Sequence, residues 1–372
     1  MIKKELAIIL TIMFATTGLI GLMADASEGA GFSVTDGTGR TFLYEKPSEH
    51  VIVAGFAVTL TVVDLGLANK IVATDTYGGY DYYKDPKLEV LKGVPSIGSI
   101  GSSANNDYIV FQLIQWVEEG KISSDDTIIF TTYISNGTVL RNQLESIVMP
   151  DGSRFTHILM WGNIIEYSEI ANMVDTVSMA LTGNKSTLAE EMRLTQQEVA
   201  EKTAGIDKKK AIFVWYTDST KEFRVGKTGS LAVSMVEAAG GISLGDSNAS
   251  GGSYGDINTV IQLLAKNRDA LVLLDSSYTK KYGVEKFRAD ELGGDRNINI
   301  LGMEQTWNNY CPESMDGLWA IAQALYPELF GDSERPTVDS DDSSDNTLVF
   351  IALGAAAVIA IIALAVYFMR KP

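Results

Sequence analysis

An uncharged run from Thr347 to Met369, closed at once by Arg370-Lys371, constrains this chain more than any other feature. At about 1.5 Å rise per residue, the run covers the roughly 30 Å of a bilayer's hydrocarbon core, so a transmembrane helix is expected over 347–369. The basic residues behind it favour the cytoplasm, and the flank before it, Asp332 to Asp345, is crowded with Asp and Ser. The charge asymmetry therefore predicts a single-pass protein of the cell membrane, with the body outside and a short tail in the cytoplasm. The other end agrees. Lys3 and Lys4 precede an apolar stretch from Leu6 to Met23, and Ala24-Asp25-Ala26 fits a signal-peptidase site, so residues 1–26 are expected as a signal peptide. An uncleaved signal anchor is the competing reading of the same residues.

Between the ends, residues 332–346 have almost nothing to bury and repel one another, which predicts an acidic, disordered stalk. A formal net charge of -17 excludes nucleic acid as a partner, because a duplex has to be met by Lys and Arg. With Cys311 as the one cysteine there is no internal disulfide, and the fold has to rely on its core. The chain's two histidines, His50 and His157, together with that single thiol leave no zinc-type ligand set. Sequons at Asn136, Asn184 and Asn248 are open to glycosylation in a host that modifies exported proteins.

Short β-branched runs alternate with helical periodicity, the mark of an α/β region. His50–Ala54, Lys70–Thr74, Thr127–Thr131 and Thr156–Met160 read as strands, with helices over Thr59–Leu67 and Tyr167–Leu181. Thr187 and Glu190 fit a capping box at the head of a helix running to Ala204, a rod of about 27 Å, long enough to link two lobes. An ordinary surface helix within one lobe fits the same periodicity. The pattern then restarts with a strand over Lys210–Tyr216, helices over Ser230–Ala239 and Thr259–Lys266, a strand over Ala270–Leu274 and a last helix over Ser314–Leu325. The fold class is thus α/β, with two Rossmann-like lobes and one joining helix: an N-terminal lobe over 32–183, the helix over 184–205, and a C-terminal lobe over 206–331.

Val34-Thr-Asp-Gly-Thr-Gly-Arg-Thr41 and Lys46-Pro-Ser-Glu-His-Val-Ile52 resemble the opening strands of the class III substrate-binding proteins of ABC importers. Further matches follow in family order. Leu65-Gly-Leu-Ala-Asn-Lys-Ile-Val72 is similar to the family's "LGL-x-D-K-I-V", Pro95-Ser-Ile-Gly98 to its "P-x-V-G" turn, and Ala238-Ala-Gly-Gly-Ile242 to "L-A-G-G-x-N". Leu263–Leu271 is similar to "L-L-A-x-N-P-D-V-I", and Tyr326-Pro-Glu-Leu-Phe330 to "H-P-E-L-F". The resemblance spans residues 32–331. It implies a binding protein that is not an enzyme, with a small-molecule ligand (an iron chelate such as a siderophore or haem, or cobalamin) held between two lobes, and partners in an ABC permease and its ATPase. No cofactor of its own is implied. A surface adhesion or sensory protein that kept the fold without transport is the alternative.

The family carries a docking Glu on each lobe. Here Asp107 stands near the first, while Val260–Leu264 holds no acid and Asp256 is the nearest substitute. Residues 116–125 are an insertion relative to the family pattern.

A ligand of chelate or corrin size needs aromatic walls and a few directed polar groups, and in open α/β sheets it sits beyond the carboxyl ends of the strands. The ligand-binding candidates are Tyr77, Tyr80, Tyr82 and Trp161 in the first lobe, and Trp215, Tyr216, Arg224, Trp307 and Tyr310 in the second. Core packing is the competing account for any one of these aromatics. Arg224 is suited to an anionic chelate. No catalytic constellation emerges, and Gly37-Thr-Gly39 and Gly226-Lys-Thr-Gly229 lack the spacing of a phosphate loop.

Overall fold

The computed structural model describes residues 31–100, 103–131, 134–149, 152–162, 164–227, 229–245 and 253–338. The expected signal peptide, the expected transmembrane helix and the end of the expected stalk lie outside the described residues. Among the described residues, no helix is long and apolar enough to cross a membrane. The chain forms two compact units. Among the described residues, one gathers 31–55, Leu67–Gly162 and Thr176–Asn184, and the other Phe56–Gly66, Asn163–Asp175 and 185–338.

In the first unit, β1 (Phe32–Thr35) and β2 (Thr41–Tyr44) form an antiparallel hairpin. Then β3 (Val51–Ala54), β4 (Ile71–Thr74), β5 (Thr127–Thr131) and β6 (Ile158–Trp161) make a four-stranded sheet in the order β4-β3-β5-β6, parallel throughout. Every residue of β3 and β6 is buried. That is why these strands read as unbroken apolar runs and not as alternating ones: a parallel sheet is covered on both faces. One face packs Ile52, Ile128, Phe130, Ile158 and Met160 against Ile109, Leu113 and Trp116 of the helix Asn106–Glu118, and against Leu140 and Leu144 of Ile134–Ser146. Each such side chain contributes about 1.5–3 kcal/mol on burial.

Asp36 locks the hairpin turn to this sheet. Its Oδ1 accepts from the backbone N–H of Thr38 (2.9 Å) and Arg40 (3.2 Å), and its Oδ2 from Met160 N (3.0 Å) and Arg141 Nη1 (2.7 Å). The Asp36–Arg141 pair is buried, so removing either partner strands the other charge away from water.

The second unit carries β7 (Lys210–Thr217), β8 (Glu222–Gly226), β9 (Ile242–Ser243), β10 (Ser253–Tyr254), β11 (Leu271–Leu274) and β12 (Ile300–Gly302). They form a six-stranded mixed sheet in the order β10-β8-β7-β11-β12, with β9 paired to β7. The pairs β7–β11, β11–β12 and β7–β9 are parallel, and β8 is antiparallel to both β7 and β10. The hairpin return through β8 was not expected from the sequence, and neither were the helices Ser276–Tyr282 and Val284–Glu291.

The helix expected from Thr187 spans Thr187–Lys202, and its cap lies one residue earlier than the capping-box reading placed it. Ser186 is in extended conformation, and its hydroxyl accepts from Leu188 N and Ala189 N. The helix packs within the second unit against Ser314–Leu325. The expectation of a free stalk from Asp332 gives way over its first part. Arg335 pairs with Glu191 (3.2 Å) and Asp316 (2.9 Å), Trp319 Nε1 donates to Ser333 O (3.1 Å), and Val338 N reaches Glu191 (3.4 Å). One arginine between two carboxylates holds down a stretch whose composition alone predicts no attachment.

Candidate ligand-binding site

Each sheet ends in an aspartate used in the same way. In the first unit, Asp75 follows the last residue of β4. Its backbone N–H donates to Val53 O on the neighbouring strand (3.1 Å), and its Oδ1 accepts from Gly55 N, two residues further along that strand (2.8 Å). In the second unit, Asp275 follows the last residue of β11. Its N–H donates to Val214 O (3.0 Å), and its Oδ2 accepts from Tyr216 N, again two residues further on (3.3 Å). Past a strand end the ladder stops and the neighbour's next N–H loses its partner. A short acidic side chain turned back across the strands supplies one.

The segments that leave the two aspartates differ. After Asp75, Gly78 N donates to Oδ1 (2.6 Å) and Gly79 N to Asp75 O (3.1 Å), and the turn leads into the single helical turn Tyr80–Tyr83. Two glycines without side chains leave room there. A cavity of about 370 Å³ opens beside the strand end, lined by Asp75, Tyr80, Tyr82, Leu91, Lys92 and Ser96 among others. Asp75 is fully buried, and its Oδ2 has no hydrogen-bond partner. Burial pushes this carboxyl above the ordinary carboxylate range, against the opposing pull of the backbone N–H groups of Gly55, Gly78, Tyr77 and Ile100.

The tyrosines named from the sequence gather here. Tyr77 meets Tyr82 edge to face (centroids 4.9 Å), and Tyr82 meets Tyr83 likewise (4.7 Å). Tyr82 is 54 % exposed and Tyr77 36 %, so both present ring surface to solvent. Tyr80 is half-buried beneath the Lys92 ammonium, 4.7 Å from its ring centroid. Trp161 lies apart from this cavity. It closes β6, nearly buried, with its ring against Gly37, where a Cβ would run into it.

In the second unit the strand phase separates two adjacent candidates. Tyr216 shares the core face of β7 with Ile212 and Val214, and packs against Phe223, Tyr278 and Tyr282. It is a core residue. Trp215 points to the opposite face, 40 % exposed, directly across from Arg224 on β8. Arg224 is paired with Glu222 (3.3 Å). Trp307 is half-buried against Gly317, and Tyr310 is half-buried in the same loop.

Of the two docking acids, Asp107 is exposed in the first turn of Asn106–Glu118 and accepts from Gln143 Nε2 (3.1 Å). Asp256 is the N-cap of Ile257–Lys266. Its Oδ1 accepts from Thr259 N (3.1 Å), and that bond leads the interactions holding its carboxyl below the usual range. Sequence reasoning missed Asp75, Gly55 and Lys92. The available signal was an acid directly after a buried strand, with a glycine pair close behind it.

A larger cavity, of about 620 Å³, lies at the opposite, amino end of the first sheet and is lined by both histidines. His157 stacks on Tyr44 (4.1 Å) and bonds Leu43 O (2.9 Å), and His50 faces Asp126 (3.5 Å). Among the described residues, no group of three or more His, Cys, Asp or Glu side chains could hold a metal ion.

No protein-family model and no curated protein matches this sequence. Solved structures do. The periplasmic heme-binding protein RhuT from Roseiflexus sp. RS-1 is similar over 75 % of this chain and 98 % of its own, at 15 % identity and a TM-score of 0.51. The periplasmic vitamin B12 binding protein BtuF of Vibrio cholerae is similar over 75 % and 97 %, at 13 % identity and a TM-score of 0.53. A protein of the ABC-type Fe3+-hydroxamate transport system of Saccharomonospora viridis is similar over 81 % and 99 %, at 17 % identity and a TM-score of 0.52. The chain has the fold of the class III periplasmic binding proteins. These neighbours are transport binding proteins, not enzymes.

Proposed function

We propose that this protein is a membrane-anchored extracellular substrate-binding protein of an ABC importer. It captures an iron chelate, either siderophore or haem, or cobalamin, and delivers it to a permease powered by a separate ATPase. The observation that carries this reading is the fold likeness to haem, B12 and hydroxamate binding proteins, joined to exposed tyrosines just beyond the carboxyl end of β4. A flat, partly apolar guest is met by aromatic edges and faces, which desolvate it at little cost in side-chain entropy. In this reading Tyr77, Tyr80 and Tyr82 are the ligand contacts of the first unit and Trp215, Arg224, Trp307 and Tyr310 those of the second, while Trp161, packed against Gly37 apart from the cavity, is not one. The apolar stretch 347–369 keeps the receptor beside its permease, raising its local concentration there.

Asp107 is the docking acid of this proposal, flanked by the exposed rings of Tyr108 and Phe111. Asp256, engaged as a helix cap, contributes less. That asymmetry also favours the second reading, a surface adhesion or sensory protein that binds a ligand without a permease.

Tryptophan emission of the full chain, titrated with haem, cyanocobalamin and ferric hydroxamates, tests the primary reading. At least one should quench emission, and Trp215→Phe should reduce the change. If none alters emission or melting temperature, chelate capture is wrong. Loss of ligand delivery in Asp107→Ala cells, with binding intact, separates transport from adhesion.

A further inference from the structure

Behind the lining of the cavity beside β4 lies a buried acceptor with no hydrogen-bond partner, approached only by the backbone N–H groups of Tyr77 and Ile100. Asp75 Oδ1 takes two backbone N–H groups, while Oδ2, with the whole side chain buried, takes none. Such an oxygen needs a donor, and a buried carboxylate gains most from a donor that carries positive charge. The lining supplies the rest of a cation site. Thr74, Thr76 and Ser96 add hydroxyl oxygens, Asp81 adds a second carboxylate, and Leu91 and Val94 add apolar wall. The face of Tyr80 already takes one ammonium, that of Lys92. Lys92, itself in the lining, is ion-paired with Glu89, which offsets its charge there.

We propose that this cavity is a subsite for a primary ammonium group, with Asp75 Oδ2 as acceptor, Tyr80 and Tyr82 as walls, and an alkyl arm running over Leu91 and Val94. An ammonium has three donors to distribute among Asp75 and the neighbouring hydroxyls, and it brings the counter-charge that a neutral hydroxyl lacks. A bare metal ion is disfavoured, since no ligating trio stands among the described residues. The subsite goes beyond the chelate reading and stands without it. The amine belongs to a free alkyl diamine or to the side arm of a larger ligand.

Ligand-observed saturation-transfer NMR on the full chain tests it, with 1,5-diaminopentane against the neutral 1,5-pentanediol. The diamine methylenes should take up saturation and the diol should not. Asp75→Asn should weaken diamine binding by at least about tenfold, the loss of one charge-assisted hydrogen bond. Glu328→Gln, on the surface of the other unit, should leave it unchanged. Should Asp75→Asn fail to fold, Tyr80→Leu carries the test, with weaker diamine binding expected from the lost ring face. Equal binding of diol and diamine, no transfer from either, or full diamine affinity in a folded Asp75→Asn or Tyr80→Leu chain would each overturn the subsite. A ferric trihydroxamate bearing a terminal ammonium, compared with its N-acetylated form, separates a side-arm amine from a free one. Diamine binding without any chelate response keeps the subsite and removes the chelate reading. A chelate response without amine discrimination does the reverse.

Discussion

Asp75 and Asp275 stand at corresponding points of their sheets, each reaching across to the N–H two residues past the same carbonyl partner on the adjacent strand. Around Asp275 both carboxylate oxygens are engaged. Ser277 donates both its N–H and its hydroxyl to Oδ1 (2.9 Å each), and Tyr278 packs into the aromatic core beside Tyr216. Around Asp75 both bonds, from the N–H groups of Gly55 and Gly78, fall on one oxygen, and Tyr77 and Gly78 stand in place of Ser277 and Tyr278, so the second oxygen is left over beside a cavity. The comparison separates architecture from function. A strand-end aspartate is enough to finish a sheet, and the proposed subsite rests on one that is left half-satisfied.

The largest effect expected is at the closed end. Asp275→Ala strands the N–H groups of Tyr216 and Ser277 and should cost about 2–4 kcal/mol in urea unfolding. A cost below that of Asp75→Ala would break the comparison.

Next is Gly55→Ala. Gly55 holds φ at +108° and would drive a Cβ into Thr131, where its counterpart Tyr216 is ordinary strand. About 1–3 kcal/mol of strain is expected, with hydrogen exchange speeding at the ends of β3 and β5.

Asp75→Ala should cost less than Asp275→Ala, about 1–2 kcal/mol, because losing two acceptor bonds is offset by removing a buried unpaired oxygen. Smallest is Asp75→Asn, within about 1 kcal/mol of wild type near neutral pH, and its sign sharpens the picture. Because the folded carboxyl titrates above its ordinary 3.8, the native state holds the proton more tightly than the unfolded chain. Wild-type stability should therefore fall as pH rises from near 3.8 through the folded value, and the Asn variant should lack that loss. Unfolding curves for both proteins across that window check it. A difference independent of pH would mean that Oδ2 is not isolated.

The strands that were legible in the sequence are those buried on both sides, such as Val51–Ala54 and Thr127–Thr131, because a short, unbroken, β-branched apolar run fits little besides an inner strand. The helix Ser314–Leu325 was equally plain, closed by Tyr326-Pro327. Ser276–Tyr282 and Val284–Glu291 were not, because each is polar and is anchored by a single buried ring, Tyr278 or Phe287. In the site, the tyrosine cluster was visible as a Gly-punctuated loop, but composition drew Trp215 and Tyr216 into one group, although neighbours in a strand face opposite ways. Asp75 stayed hidden because its importance lies in an unmade bond, which no local pattern records.

Hydrogen exchange of the full chain with and without each of haem, cyanocobalamin and a ferric hydroxamate tests the central contrast most directly. With the ligand that binds, amides over Thr76–Tyr83 should be protected while those over Ser276–Tyr282 keep their rates. Protection confined to Ser276–Tyr282, or none over Thr76–Tyr83 with any of the three, would contradict the claim that the open strand end is where this protein meets its ligand.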